Sequence, residues 1–151
     1  MNISNKCLSL IKKFEGFSSK PYLCPANVPT IGYGTTYYEN KIRVTLEDEV
    51  ITEEKATQLL YHIIKKFEKG VNELIKSTIN QNQFDALVSF TYNLGLTNLK
   101  NSTLLKKVNV NPVDKSIFDQ FLRWNKANGK ELAGLTARRL EEATLYFKPI
   151  V

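Results

Sequence analysis

The chain has 151 residues, 42% hydrophobic and 24% charged, a composition that suits one globular domain with a real core or two lobes sharing a helix. Its net charge of +6 points to an anionic partner, but the basic residues are scattered and mixed with acids (Lys12–Lys13, Lys65–Lys66, Lys106–Lys107), which argues against nucleic acid. With His62 the only histidine and Cys7 and Cys24 the only cysteines, a His-ligated zinc site and a disulfide scaffold are excluded, as is a Ser-His-Asp or Cys-His centre unless His62 serves, so the chemistry must run on carboxylates, hydroxyls or a thiol.

The opening M-N-I-S-N-K-C-L-S-L-I-K-K-F is too broken by polar residues for a secretory h-region, and no apolar run approaches the roughly 18 residues of a membrane span. Synthesis in the cytoplasm without an export device is expected. Ser4 suits the N-cap of a first helix, 4–14, whose buried face is Cys7, Leu10, Ile11 and Phe14, with Gly16 as its stop. From Phe17 to Val50, Pro21, Pro25 and Pro29 forbid a regular helix, while T-I-G-Y-G-T-T-Y-Y and K-I-R-V-T read as short strands joined by a turn at Glu39-Asn40. A small antiparallel sheet of two or three strands is predicted.

Thr52 opens a long helix, with Asp48, Glu49, Glu53 and Glu54 near its positive end and an apolar stripe from Ala56 through Leu59, Leu60, Ile63, Phe67, Val71, Leu74 and Ile75. Gly70 interrupts that stripe, which suggests close packing or a slight bend. Asn82 to Leu94 is apolar almost all round and should be a buried central helix ended by Gly95. Ser102 caps a short helix through Val108. Pro112 opens another, buried through Ile117, Phe118, Phe121, Leu122 and Trp124. Gly129 and Gly134 mark turns. In a last helix, Leu135 to Phe147, Leu140, Ala143, Thr144 and Phe147 occupy one side; Arg138, Arg139, Glu141 and Glu142 occupy the other and are expected to pair along the surface. The prediction is α+β, as a single domain over 1–151: a β lobe at 15–52, a connecting helix at 53–76 and a helical lobe at 77–151 on which helix 4–14 packs.

Glu15 stands at the C-terminal end of the first helix, where the macrodipole and apolar cover from Phe14 and Phe17 favour a protonated carboxyl suited to general-acid work. An exposed turn glutamate is the plainer alternative. Cys24, in a proline-bounded loop, reads as a structural cysteine or as a base or nucleophile; Thr30 reads as a strand residue or as a group that orients water. Gly32 and Gly34 require a backbone bend or a close approach.

Taken together, E-x8-C-x5-T followed by I-G-Y-G resembles the active-site signature of the phage-type lysozymes, the endolysins of tailed bacteriophages (glycoside hydrolase family 24), in the branch with cysteine at the second catalytic position. I-T-E-E-K-A, N-Q-F-D-A-L-V-S-F-T-Y-N-L-G, N-S-T-L-L-K-K-V-N and F-L-R-W-N-K-A-N-G-K-E-L-A-G-L-T-A-R-R-L-E-E-A resemble further segments of that family, in order along the chain. Thr35 departs from it, standing where many relatives have histidine.

The resemblance implies a lysozyme-like fold with a cleft between the lobes. It also implies hydrolysis of the β-1,4 bond between N-acetylmuramic acid and N-acetylglucosamine in peptidoglycan, for host cell lysis. Glu15 would be the general acid, Cys24 would take the place of the usual aspartate, and Thr30 would help place water. Gly32, Tyr33 and Gly34 would line one side of the substrate site and Tyr92 and Asn93 the other. No cofactor or metal, no stable membrane association, a monomer, and dependence on a holin for passage from host cytoplasm to wall are implied as well. A lytic transglycosylase and a non-catalytic wall-binding relative are the alternatives.

Overall fold

The structure is a computed structural model and describes residues 1–150. In chain order the elements are α1 (Asn5–Glu15), β1 (Ser18–Leu23), β2 (Pro29–Gly32), α2 (Glu53–Leu74), α3 (Gln81–Leu94), α4 (Leu96–Lys100), α5 (Thr103–Val110), α6 (Ile117–Leu122), β3 (Lys126–Ala127), β4 (Lys130–Glu131) and α7 (Ala133–Phe147). The chain forms two compact units, Lys12–Lys66 and Met1–Ile11 with the chain from Phe67 onward. α1 and α2 each begin in one unit and end in the other.

In the larger unit the core is built around α3, where every residue from Asn82 to Thr91 is buried. A reciprocal capping box starts it: Gln83 N–H donates to Asn80 Oδ1 and Asn80 N–H to Gln83 Oε1, both at 2.9 Å. Gly95 ends it with a positive φ of 90° and an N–H bonded to the Thr91 carbonyl. Phe90 packs edge-on against Phe121 and Trp124 at 5.7 and 5.6 Å, and Phe121 continues the cluster to Tyr146 of α7. The start of α1 is tied to this core by Asp85, which is fully buried and accepts from Ser4 N–H at 3.0 Å, from the Ser4 hydroxyl, and from Gln81 Nε2 at 2.8 Å. Cys7, Leu8, Leu10 and Ile11 are the buried side of α1. Gly70 is a packing glycine, since a methyl group there would collide with Leu96 at the start of α4.

Three expectations for this unit need correction. α7 buries a different face from the one predicted: Arg138, Arg139, Glu142 and Tyr146 are buried together with Ala143, while Leu140 is 47% exposed. The charges go inward because Glu142 pairs with both Arg138 and Arg139. Pro112 lies outside a helix; α6 starts only at Ile117, after Asp114 accepts from Ser116 N–H at 2.9 Å. Gly134 lies within α7, and the chain reversal before it is a short β3–β4 hairpin turning at Asn128 and Gly129, both with positive φ.

In the Lys12–Lys66 unit, β1 and β2 pair antiparallel with Tyr22 opposite Thr30 and Leu23 opposite Pro29. β1 carries Pro21, which the two-stranded sheet tolerates because each strand has a free edge. The run T-I-G-Y-G-T-T-Y-Y is not one strand. It folds back on itself, with Ile31 and Thr35 exchanging both backbone hydrogen bonds at 2.8 and 2.9 Å around Gly32–Gly34. The turn at Glu39-Asn40 is present, flanked by the Tyr37–Arg43 bridge. Asp48 closes the loop before α2, accepting from Thr45 N–H at 2.9 Å, from the Thr45 hydroxyl at 2.7 Å and from the Tyr38 hydroxyl at 2.7 Å.

Candidate active site

Glu15, Cys24, Thr30, Gly32, Tyr33 and Gly34 all belong to the Lys12–Lys66 unit. Glu15 is the last residue of α1 and is half-buried; Gly16 then leaves the helix at φ 71° with its N–H on the Lys12 carbonyl. Two residues later β1 begins, so the acid sits where the helix turns into the sheet.

The loop from Cys24 to Val28 joins β1 to β2. Asn27 N–H donates to the Cys24 carbonyl at 2.8 Å, Cys24 N–H donates to the Val28 carbonyl at 3.1 Å, and Asn27 takes a left-handed φ of 61°. This is the three-residue hairpin pattern, with proline at the corner it favours. The turn aims backbone N–H groups at the cysteine. The half-buried thiol is held below its usual range, first by the Val28 N–H, then by the Ala26 N–H, with the Thr30 hydroxyl and Cys24's own backbone adding to the effect. Desolvation, a larger influence than the Thr30 hydroxyl, opposes them.

Thr30 is 3% exposed and its hydroxyl donates to the Val28 carbonyl at 2.8 Å. A hydroxyl has one proton. While Cys24 is a thiol, Thr30 can accept from it and keep its bond to Val28; toward a thiolate it can turn and donate. Thr30 is therefore turned toward Cys24 rather than toward solvent.

Tyr22 lies two residues before Cys24, at a position no motif marks. It is the cross-strand partner of Thr30 and is 37% exposed. Its phenol is pushed up first by burial and then by the charges of Glu15 and Cys24, so both groups lie within electrostatic reach of one ring.

Gly32 is buried at φ 65°, and a methyl group there would stand 3.1 Å from the Ala56 Cβ of α2. Only glycine meets both demands. Tyr33 is 6% exposed, packs at 5.6 Å and a tilt of 46° against Phe17, and donates its hydroxyl to Glu53 Oε1 at 2.9 Å. Lys12 closes this cluster, with Nζ 3.1 Å from Glu53 Oε1 and 5.2 Å from the Tyr33 ring centroid. At residues 32 and 33 the side-chain positions are thus spent on packing, and Gly34, half-buried at φ 79°, is the more open part of the turn.

Tyr92 and Asn93 lie in the other unit, at the end of α3, both half-buried. Phe67 meets Tyr92 edge-on at 5.6 Å. Arg139 Nη2 donates to Asn93 Oδ1 at 2.9 Å. His62 is exposed on α2. Cys7 and Cys24 are both free; burial pushes the Cys7 thiol up, and the residue belongs to the core. Among the described residues, no three His, Cys, Asp or Glu side chains gather as a metal site, and no helix is long and apolar enough to cross a membrane.

The family model for phage lysozyme matches residues 12–142. The endolysin of Bacillus phage B103 is 45% identical over 146 residues, covering 97% of this chain and 54% of that protein, so the chain spans about half that relative's length. The endolysin of Acyrthosiphon pisum secondary endosymbiont phage 1 is 41% identical over 150 residues, covering 97% of this chain and 98% of that protein. Among solved structures, the endolysin from Escherichia coli O157:H7 phage FAHEc1 matches with a TM-score of 0.88 at 40% identity, over 97% of this chain and 94% of that one.

Proposed function

The chain belongs to the phage lysozyme family and has its lysozyme-like α+β fold, and we propose that it is an endolysin that hydrolyses the β-1,4 bond between N-acetylmuramic acid and N-acetylglucosamine in peptidoglycan. Glu15 protonates the leaving glycosidic oxygen. Water attacks the opposite face of the sugar, directed by Cys24, and the configuration inverts, for which acid and partner stand roughly 6.5–9.5 Å apart. Thr30 is a positioning residue that sets the state of the Cys24 thiol. Gly34, in a turn shaped by Gly32 and Tyr33, contacts the glycan, as do Tyr92 and Asn93. The chain works as a monomer and reaches the wall through a lesion made by a holin.

The observation that carries this reading is local geometry: Glu15 ends the helix that leads into β1, and Cys24 closes the hairpin that follows β1 and sets Tyr22 opposite Thr30. An acid, and a thiol whose pKa is lowered by backbone N–H groups, are the two kinds of group that hydrolysis by inversion needs.

The product identifies the reaction. Digested peptidoglycan should yield fragments carrying one added water and reducing muramic acid ends by mass spectrometry. Fragments ending in 1,6-anhydromuramic acid would mean that no water is activated, and would make the chain a lytic transglycosylase instead.

A further inference from the structure

The helical unit contains a buried ionic cluster that the reaction above does not use. Arg139 and Glu142 are fully buried on α7, and Arg138 is 3% exposed. Glu142 Oε2 accepts from Ser89 Oγ at 2.5 Å, from Arg138 Nε at 3.3 Å and from Arg139 Nη2 at 3.3 Å, while Arg139 Nε stands 2.8 Å from Glu142 Oε1. The last contact is an ion pair by distance, although its alignment is too oblique for a hydrogen bond. The Arg139 guanidinium also lies over the Phe90 ring, 5.2 Å from its centroid. A guanidinium held between the Glu142 carboxylate and the face of the Phe90 ring has one orientation. Its remaining reach goes to Asn93 Oδ1 at 2.9 Å.

That contact decides which way the Asn93 amide faces. Guanidinium nitrogens only donate, so the oxygen of Asn93 must point at Arg139 and its NH2 must point away. The two amide orientations, close in energy for an ordinary asparagine, are thereby reduced to one. We propose that Arg139 is a positioning residue that presents the Asn93 amide as a hydrogen-bond donor, and that its partner is the carbonyl oxygen of a sugar N-acetyl group. The inference rests on the reading of Asn93 as a glycan-binding residue. N-acetylated sugars offer one strong neutral acceptor per residue, the acetamido carbonyl. A carboxylate or a second acceptor at position 93 would reject it, because two acceptors would face each other.

Asn93→Asp tests this with little change of shape. The new carboxylate still pairs with Arg139, so the fold is kept, but the outward group becomes an acceptor. The loss of one neutral hydrogen bond predicts a rise in KM of about three- to tenfold on purified peptidoglycan, with kcat much less affected. The same digestion on chemically N-deacetylated peptidoglycan supplies the second arm. If Asn93 reads the acetyl carbonyl, deacetylation weakens the parent chain more than the variant, and the two losses do not add. Arg139→Lys, which keeps a buried cation for Glu142 but loses the planar fork, should reproduce the KM rise and add little to Asn93→Asp, with folding checked by thermal melting. An unchanged KM in Asn93→Asp, or fully additive losses, would overturn the role of Asn93 while leaving the lysozyme reading intact. Failure of the parent chain to digest peptidoglycan at all would overturn both.

Discussion

Cys24 is a thiol in a setting built for an anion. Ala26 and Val28 turn their N–H groups toward it because the hairpin closes through Pro25 and a left-handed Asn27, and Thr30 adds a hydroxyl from the facing strand. Alkylation by iodoacetamide should therefore show a midpoint below the ordinary thiol value of 9.0, and Thr30→Val should move it upward. A midpoint unchanged by Thr30→Val would disconnect the hydroxyl from the sulfur. Cys24→Asp should keep lytic activity, because the same N–H groups suit a carboxylate, whereas Cys24→Ala should lose most of it; an alanine variant as fast as the parent removes Cys24 from the mechanism. Thr35 makes a separate case. It is fully buried and its Oγ1 has no hydrogen-bond partner among the described residues. Thr35→Val keeps the shape and removes a hydroxyl whose unmet desolvation costs about 1–3 kcal/mol. The variant should melt higher than the parent, and a lower melting temperature would show that the hydroxyl is satisfied.

At the scale of elements, the loop ahead of α2 and the helix start are pinned by carboxylates. Asp48 and Glu53 are both held below their ordinary values of 3.8 and 4.5, Asp48 by Thr45 and Tyr38, Glu53 by Lys12 and Tyr33. A depressed folded pKa means that the unfolded chain binds protons first as pH falls. The stabilisation they supply is thus complete above their unfolded values and is lost as pH drops through the lower folded ones. Asp48→Asn should flatten the acid limb of a melting-temperature profile below about pH 4, and an unaltered limb would assign acid sensitivity to other groups. Glu142 is the opposite kind of carboxylate. Its removal by Glu142→Leu leaves two buried guanidiniums without a counter-charge and should cost about 3–5 kcal/mol in a denaturant titration; a loss below 1 kcal/mol would mean that the cluster relaxes. That cluster is also where apolar periodicity misleads. The spacing of Leu140, Ala143, Thr144 and Phe147 suggests one buried side of α7, yet Leu140 is exposed and the charges are inside, because pairing of Arg139 with Asn93 across 46 residues and of Glu142 with Ser89 across 53 overrides local pattern. β1 was hidden for a related reason: Pro21 argues against a strand, but an open two-stranded ribbon does not need its N–H. The candidate site was legible because Glu15, Cys24 and Thr30 lie close along the chain and a single hairpin gathers two of them. Helices α1, α2 and α3 were legible through their stripes and caps, and the Asn93 contact was not, since nothing local to α3 signals a partner on α7.

At the scale of the whole molecule, the net charge of +6 suits an enzyme whose substrate is an anionic wall polymer. Attraction of that kind is screened over about 8 Å at physiological salt. Raising ionic strength should slow clearing of peptidoglycan chiefly through KM, and a salt-independent KM would remove charge steering from the account. The chain is placed in its family by matching sequence along nearly its full length and by fold, and the remaining question is whether it runs on the acid at the end of α1. Clearing of outer-membrane-permeabilised Gram-negative cells by the parent chain and by Glu15→Gln, with folding of both confirmed by melting, asks this directly. Loss of clearing by about a hundredfold or more in Glu15→Gln is predicted, the scale expected when a general acid is removed. Equal clearing by the two proteins would contradict the assignment of Glu15 as the proton donor.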